Sequence, residues 1–258
     1  MATYNKRGYK APKPKEENEF DQFSNVDTSN STTAEVFDTL DKNANRMENW
    51  VARNQKAIFG FVGAIALITI GYVGYSKFVV EPKNEDAANE MFQAQTYYND
   101  AMANTATSDS LYTLALNGGE GKLGFLGIID SYSGTQAANL AQYYVGTTFL
   151  NQGKFKEAIQ HLEKFKANDI VLGALSLGAI GDAFSELGQK EDALDYYKKA
   201  AAYNKNDFTA PRFLNKAGLI ALDLGKKEEA LKLFNEIKNN YQESAEANAV
   251  DVLIGMAQ

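Results

Sequence analysis

The stretch GDAFSELGQKEDALDYYKKA, residues 181–200, decides the fold of this 258-residue chain. Gly181 is followed seven residues later by Gly188, in a short charged turn, and Ala193 comes five residues after that. The same spacing recurs in TTFLNQGKFKEAIQHLEKF, residues 147–165, and in GLIALDLGKKEEALKLFNEI, residues 218–237. Because self-similarity at a period of about 35 residues marks stacked helix pairs, the sequence predicts a helical solenoid.

Each recurring position has a physical reason. A glycine inside a helix costs about 1 kcal/mol against alanine, so it is expected where a neighbouring helix leaves no room for a Cβ. This applies to Gly146, Gly181 and Gly218, and the small residues Ala158, Ala193 and Ala230 are expected to do the same on the second helices. The turn glycines end the first helices in a left-handed conformation; they are Gly153, Gly188 and Gly225. We expect Phe149 and Phe184 to fill the groove between paired helices, with Ala221 as a weaker equivalent.

These units resemble the tetratricopeptide repeat family. Its pattern of small, aromatic, Gly, Ala, aromatic and Ala positions is met in the second unit by Gly181, Phe184, Gly188, Ala193, Tyr197 and Ala200. The first unit departs from it with Leu162 and Phe165, and the third departs with Ala221 and Ile237. The resemblance implies an all-α solenoid with clear repeats over about residues 139–244.

The repeats are flanked by further predicted helices. Before them we expect helices at Glu85–Met102, Ser108–Asn117 and Leu123–Ser131. After them, a last helix at Ala245–Ala257 is expected to cap the solenoid. Thr135 and Ser244 are predicted helix N-caps, because each hydroxyl stands just before a helical pattern.

A different element precedes this domain. Residues 57–76, AIFGFVGAIALITIGYVGYS, contain no charge and are long enough as a helix to cross the hydrocarbon core of a bilayer. A buried core helix seldom stays uncharged for so long, and a cleaved signal peptide would not follow 56 polar residues. The sequence therefore predicts a membrane helix over residues 57–80 that stays in place.

Charge indicates how the chain is oriented. Lys42, Arg46, Arg53 and Lys56 precede the apolar run, whereas Lys77 and Lys83 follow it, which favours a cytoplasmic N-terminus. In a bacterium this gives a single-pass inner-membrane protein with residues 81–258 in the periplasm. The chain carries a net charge of −7, with the acidic excess after residue 56, so nucleic acid is a poor candidate partner.

Two segments precede the membrane helix. Residues 1–31 are predicted to be a disordered cytoplasmic tail, because they cannot bury enough apolar surface to fold. Residues 32–56 are predicted to be a juxtamembrane amphipathic helix that begins at the capping box Thr32–Glu35 and lies on membrane lipid or docks on a partner. Its apolar stripe consists of Val36, Phe37, Leu40, Ala44, Met47, Trp50 and Val51. In the span, Gly60 and Ala64 form a small-xxx-small pair that would let another helix approach closely.

Residues suited to catalysis are scarce. The absence of cysteine excludes disulfides, zinc-thiolate sites and thiol catalysis, and the single histidine, His161, has no second histidine with which to share a metal. Adjacent carboxylates such as Glu191–Asp192 fit the acidic start of a helix. Asn117–Gly121 is a Gly-rich loop without the Lys-Ser/Thr of a phosphate-binding loop. We predict no enzyme activity, no metal and no cofactor.

The inner, concave face of a tetratricopeptide solenoid usually binds peptide. By resemblance, the residues that line it here come from the first helix of each unit. They are Leu140, Tyr143, Thr147, Leu150 and Asn151; then Leu175, Gly178, Asp182, Ser185 and Glu186; and then Arg212, Asn215, Leu219, Leu222 and Asp223. The face is expected to be apolar and mildly acidic, which suits a hydrophobic segment or a partner helix. Some of these residues are alternatively expected to serve in packing between repeats.

The layout also resembles a narrower group, the ancillary SecYEG translocon subunits of bacteria. The stretches GFLGIIDSYSGTQAANLAQYYVG and LGAIGDAFSELG are similar to the Bacteroidota branch of that group, over roughly residues 36–258. The resemblance implies a non-enzymatic scaffold at the periplasmic side of SecYEG that hands proteins over, with a membrane-anchored periplasmic prolyl-isomerase-like chaperone as partner. Alternatives are a scaffold subunit of another envelope assembly or secretion machine, an organelle import receptor of opposite topology, and, last, an enzyme.

Overall fold

The computed structural model describes residues 32–104 and 106–258. The tail predicted for residues 1–31 lies outside the described residues, as do the side chains of the capping box and of Phe37. Two compact units divide the chain after Gly71. They are described separately below.

The described part of the first unit consists of most of one long helix. Helix α1 spans Thr32–Tyr75 and is followed by a π-helical turn at Ser76–Val80. Its 44 residues make a rod about 66 Å long, more than twice the hydrocarbon thickness of a bilayer. The sequence predicts a juxtamembrane helix over residues 32–56 and a membrane helix over residues 57–80, and the described backbone passes from one segment to the other within α1. The apolar part of this helix is a candidate membrane span, and none of it is buried by the rest of the chain.

The second unit is almost entirely helical. Its helices are α2 Glu81–Ala103, α3 Ser108–Asn117, α4 Phe125–Ser131, α5 Gln136–Asn151, α6 Phe155–Leu162, α7 Ile170–Glu186, α8 Lys190–Tyr203, α9 Ala210–Asp223, α10 Lys227–Asn240 and α11 Val250–Ala257. Two short antiparallel strands, β1 Gly118–Gly119 and β2 Lys122–Leu123, lie between α3 and α4. The fold is a tetratricopeptide-like helical solenoid.

Helices α2 to α5 share the first core of the solenoid. Phe125 and Ile128 of α4 are fully buried in it together with alanines of α2 and α5. Phe125 stacks on Tyr144 at 4.8 Å between ring centroids, and Tyr98 meets Tyr144 edge-on at 5.1 Å. Stacked and edge-to-face rings are favourable geometries beyond the apolar area that they bury. The helices predicted before the repeats therefore form a packed unit with α5.

The Gly-rich loop predicted at Asn117–Gly121 is a β-hairpin. Gly118 pairs with Leu123, and Gly119 pairs with Lys122. Glu120 and Gly121, which connect the strands, both have positive φ angles, 55° and 76°. Two successive positive φ angles are the requirement of a type I′ turn, whose twist matches the strands of a hairpin. The glycines thus serve a tight turn.

Helices α5 to α10 form three antiparallel pairs. In each pair the mid-helix glycine stands, as predicted from the sequence, where the other helix leaves no room for a Cβ. A Cβ added to Gly181 would lie 2.7 Å from the Tyr197 ring of the paired helix, and Gly146 and Gly218 face Leu162 and Phe234 in the same way. The turn glycines have φ angles of 73°, 74° and 72°, which is the left-handed region. They are Gly153, Gly188 and Gly225. Ala158, Ala193 and Ala230 are fully buried.

Charged residues of successive repeats pair at nearly the repeat period. Lys190 lies 2.6 Å from Asp223, and Lys198 lies 2.7 Å from Glu229. Lys226 also pairs with Glu191. Because these groups are largely exposed to solvent, the pairs contribute little to stability. Ion pairing between repeats therefore accounts for the recurring charged turns, and no catalytic role is needed to explain them.

The C-terminal end differs in part from the sequence-based prediction. Ser244 accepts a hydrogen bond from Ala247 N, as expected of an N-cap, and Thr135 does the same for Ala138 N. Instead of one helix from Ala245 to Ala257, a 3₁₀ turn at Ala245–Ala249 precedes α11. Short 3₁₀ turns are common at helix N-termini. Val250 and Ala257 of α11 are buried, so the solenoid ends on a packed helix.

Candidate functional site

A polar groove crosses the first helices of the three repeats. Its volume is about 610 Å³. We call it the repeat groove, and it is lined by Leu150, Asn151, Gly153, Phe155, Asp182, Ser185, Glu186, Tyr197 and Lys216. Five of the fifteen residues expected on the concave face therefore meet here: Leu150, Asn151, Asp182, Ser185 and Glu186.

Asp182 is the centre of the groove. Its Oδ1 accepts a hydrogen bond from the Tyr197 hydroxyl at 2.6 Å and another from Lys216 Nζ at 2.5 Å. Lys216 also lies over the Tyr197 ring, 5.5 Å from its centroid. Burial and the hydrogen bond to Asp182 raise the pKa of Tyr197 above its ordinary value. The three side chains join α7, α8 and α9 and fix the floor of the groove.

The rim of the groove is less constrained. Glu186 is exposed at the end of α7, one turn beyond Asp182. Asn151, at the end of α5, donates from Nδ2 to the Tyr112 hydroxyl at 3.0 Å, so α3 positions it. The groove therefore offers carboxylate, amide and hydroxyl groups beside the apolar Leu150 and Phe155. It is more polar than the face predicted from the sequence.

The remaining α5 residues proposed from the sequence lie in packed positions. Leu140 packs on the first core, and Tyr143 packs against the cluster formed by Leu162 and Ile180. Thr147 is 9% exposed and donates its hydroxyl hydrogen to Tyr143 and Tyr144 carbonyls within its own helix. The structure gives these three side chains contacts within the solenoid and does not place them in the repeat groove.

The proposed residues of α7 and α9 are divided between core and surface. Leu175 and Leu222 pack on the core of the second and third repeats. Leu219 is 43% exposed, and Arg212 is exposed with its guanidinium 5.9 Å from the Phe213 ring centroid. Asn215 has a buried Oδ1 without a hydrogen-bond partner among the described residues. None of these five lines the repeat groove.

Gly178, expected on the concave face, has a packing role. A Cβ built on it would collide with the Phe213 ring of α9. Phe213 is 2% exposed and stacks near Tyr197, with 6.4 Å between ring centroids. The missing side chain at Gly178 is thus the space that lets α9 dock on α7. Packing between repeats is the alternative role that the sequence indicates for some of the concave-face residues, and Gly178 has that role.

Four lining residues are not predicted for this face by the sequence: Gly153, Phe155, Tyr197 and Lys216. Tyr197 fits the repeat pattern as a packing aromatic, and that pattern does not indicate that its hydroxyl faces the groove. The sequence could have indicated Lys216 as a concave-face residue. It stands four residues after Arg212, which was expected there, and so lies on the same face of α9. Its pairing with Asp182 connects residues 34 positions apart, and a local pattern does not reveal such a pair.

His161 is half-buried on α6. Its Nδ1 lies 2.7 Å from Gln142 Oε1, and its ring centroid lies 5.6 Å from that of Phe149. Burial, with a smaller effect from Lys164, lowers the pKa of His161. In the described part of the chain, no three His, Asp or Glu side chains are grouped so as to hold a metal ion.

We expect Tyr143 to contribute to the sensitivity of the domain to alkaline pH. Burial raises its pKa to about 12. In the unfolded chain this phenol ionises near pH 10, so its contribution to stability is complete below pH 10 and is lost as pH rises toward 12. We expect Tyr143→Phe to leave stability at pH 7 within about 1 kcal/mol of the parent and to weaken the loss between pH 10 and 12. Urea unfolding at pH 8, 10 and 11.5 tests this, and an unchanged pH slope would contradict it.

Comparison with known proteins agrees with the repeat geometry. Residues 140–169 and residues 179–247 each match a family model described as tetratricopeptide repeat. No curated protein matches the chain significantly.

Solved structures that match part of this chain include two of MamA. The structure titled "Crystal structure of MamA protein" is 20% identical with a TM-score of 0.38, and the match covers 64% of this chain and 86% of that one. The structure titled "Crystal structure of MamA" is also 20% identical, with a TM-score of 0.36, and covers 52% and 86%. Together with the helix pairs, the family matches show tetratricopeptide repeats in residues 140–169 and 179–247.

Proposed function

We propose that the chain is a non-enzymatic, membrane-anchored scaffold that binds other proteins through the repeat groove. Tetratricopeptide repeats imply a protein–protein interaction role. The observation that carries the proposal is the groove itself, which crosses three repeats and leaves Asn151 and Glu186 exposed on its rim. A groove of this kind suits an extended polypeptide, whose backbone amides and carbonyls pair with polar side chains while an apolar residue rests on Leu150 and Phe155.

The proposed membrane anchor determines the compartment in which the repeat groove acts. The exposed apolar segment of α1 is long enough to cross a bilayer, and the excess of Lys and Arg before it favours a cytoplasmic N-terminus. We propose that the chain crosses a bacterial inner membrane once and holds residues 81–258 in the periplasm. Protease added to spheroplasts tests the topology, because it should degrade the repeats while it leaves an N-terminal tag intact. The opposite pattern would favour an import receptor with a cytosolic repeat domain.

Within that compartment, we propose a place beside SecYEG, where the scaffold receives emerging proteins and passes them to a membrane-anchored prolyl-isomerase-like chaperone. The support is the resemblance of residues 36–258 to ancillary translocon subunits. Purification of the tagged full chain in mild detergent should recover SecY and the chaperone. Recovery of outer-membrane assembly or secretion-machine components instead would favour the alternative, a scaffold of another envelope machine.

The groove is tested separately by reversing a charge on its rim. Glu186→Arg changes an exposed side chain, so the fold should survive, but it opposes any cationic or donor group that the carboxylate receives. We expect binding of an arrested secretory precursor to weaken about tenfold, which corresponds to ~1.4 kcal/mol. The measurement is the yield of crosslinking from a photoreactive residue at position 185.

The matched control is Asp195→Arg, an equal charge reversal at an exposed position of α8 that does not line the groove. It should leave the yield unchanged. An equal loss from both variants would indicate a general charge effect, and no loss from Glu186→Arg would place the binding site elsewhere.

A further inference from the structure

A seam of apolar residues with one polar member, Asn54, follows α1. From Leu40 onward, the residues at alternating spacings of four and three lie on one side of the helix. We call these residues the α1 seam: Leu40, Ala44, Met47, Val51, Asn54, Ile58, Phe61, Ile65 and Ile68. The structure leaves it uncovered, since Leu40 is 59%, Met47 71% and Phe61 69% exposed. The seam lies wholly in the first unit.

The informative part of the seam precedes the apolar run, because within the run every position is apolar anyway. Between residues 40 and 56, all six charged side chains stand off the seam. They are Asp41, Lys42, Arg46, Glu48, Arg53 and Lys56. Trp50, which is 61% exposed, and Asn43 flank it on one side, and neither is charged. A helix that met only water would have no reason to keep one side free of charge.

The period of the seam selects the kind of partner. Alternating spacings of four and three repeat every seven residues, or 3.5 residues per turn. A straight helix has 3.6, so a seven-residue pattern kept over four repeats drifts by about 80° unless two helices wind around each other. A flat membrane surface does not require this period. The seam therefore fits a second helix that runs alongside α1 from the polar segment into the apolar one.

We propose that this second helix is α1 of another copy of the chain, in a parallel, in-register coiled coil. The inference rests on the proposed membrane anchoring, which inserts both copies in the same direction and sets each seam residue at the same depth as its counterpart. In that register Asn54, the single polar residue of the seam, meets the Asn54 of the second copy, and the two amides donate to and accept from each other. A chemically different helix would need its own polar group at that level.

Charge also favours the parallel arrangement. In a parallel pair, Glu48 of one copy lies beside Asn43 of the other, where the amide donates to the carboxylate. In an antiparallel pair, the side of the helix that carries Asp41 and Glu48 would face its own copy, and like charges would oppose. The Gly60–Ala64 pair lies roughly a third of a turn from the seam at 3.6 residues per turn, so it forms a separate contact face. We therefore assign the dimer contact to the α1 seam and not to the Gly60–Ala64 pair.

Cysteine crosslinking of the full chain in membranes tests the proposal, and the natural absence of cysteine leaves each introduced thiol alone. Leu40→Cys, Met47→Cys and Val51→Cys place thiols on the seam. Arg46→Cys and Asn49→Cys are matched controls on the opposite side of the same turns. Because a disulfide requires Cα atoms within ~7 Å, we expect seam variants to form at least ~5-fold more product at twice the mass of the chain.

Several outcomes would overturn the proposal. Equal yields on both sides would show random collision, and products confined to Gly60→Cys and Ala64→Cys would assign the contact to that pair. A product joined to a different protein would replace the second copy with another partner. Carbonate extraction separates this result from the anchoring: carbonate-resistant chains without seam crosslinks overturn the dimer alone, whereas released chains overturn the anchor.

Discussion

Replacing Phe234 with alanine is expected to lower the free energy of unfolding by about 3–5 kcal/mol, because the substitution leaves a large cavity in a closed core. Phe234 lies on α10, is 0% exposed and fills the space left by Gly218 on α9. No rearrangement within the pair replaces the ring, since the opposite helix offers only a glycine there. A marginally stable domain loses a large share of its total stability through such a change.

The matched control is Phe208→Ala. Phe208 lies between α8 and α9 and is 65% exposed, so we expect its loss to change stability by no more than about 0.5 kcal/mol. Urea unfolding of the full chain in micelles, followed by the near-ultraviolet circular dichroism of the tyrosines, measures both. The single tryptophan, Trp50, lies in α1, so its fluorescence would not report on the repeats. Equal losses in both variants would contradict the packing described for α9 and α10.

Much of the repeat domain could be predicted because its determinants are local. A left-handed turn needs a residue without a Cβ, so Gly153, Gly188 and Gly225 marked the ends of the first helices. A hydroxyl just before a helical pattern marked Thr135 and Ser244 as N-caps, and both hydroxyls accept the expected hydrogen bond. Each of these signals acts over a few residues, which is the range that a sequence pattern covers.

The site was harder to predict because it depends on contacts between repeats. The residues that remain free on the inner face are those that the next repeat does not cover, and this depends on how closely the helices approach. Tyr143 and Leu175 fit the inner-face pattern but are packed against neighbouring helices. Lys216, in contrast, lines the groove because its ammonium group reaches Asp182 of the preceding repeat.

The continuity of α1 was missed although its cause is local. An amphipathic pattern and an apolar run suggest two environments, and so two helices. A helix ends where a cap, a glycine in the left-handed conformation or a proline stops it. Between Val51 and Ile58 the sequence has none of these, so the backbone hydrogen bonds continue through both segments. A change of solvent along a helix does not by itself break the helix.

Among the helical glycines of the repeats, Gly178 is the position where alanine should be most damaging, with an expected loss of about 3 kcal/mol. The new Cβ would overlap the Phe213 ring, which is 2% exposed and stacked near Tyr197, so the ring has no free space into which it can turn. Gly255→Ala in α11 is the matched control. Nothing lies within 4 Å of a Cβ there, and exchanging a helical glycine for alanine should stabilise the chain by up to about 1 kcal/mol.

The opposite signs of these two substitutions separate helix propensity from packing, since propensity alone favours alanine at both sites. A double-mutant cycle with Phe213→Leu identifies the contact, because a smaller side chain at 213 should relieve the clash and recover about 1–2 kcal/mol of the loss. The measurement is the urea midpoint of the four chains under identical conditions. If Gly178→Ala instead raised the midpoint as Gly255→Ala does, α7 and α9 would not be in the close contact on which the repeat groove depends.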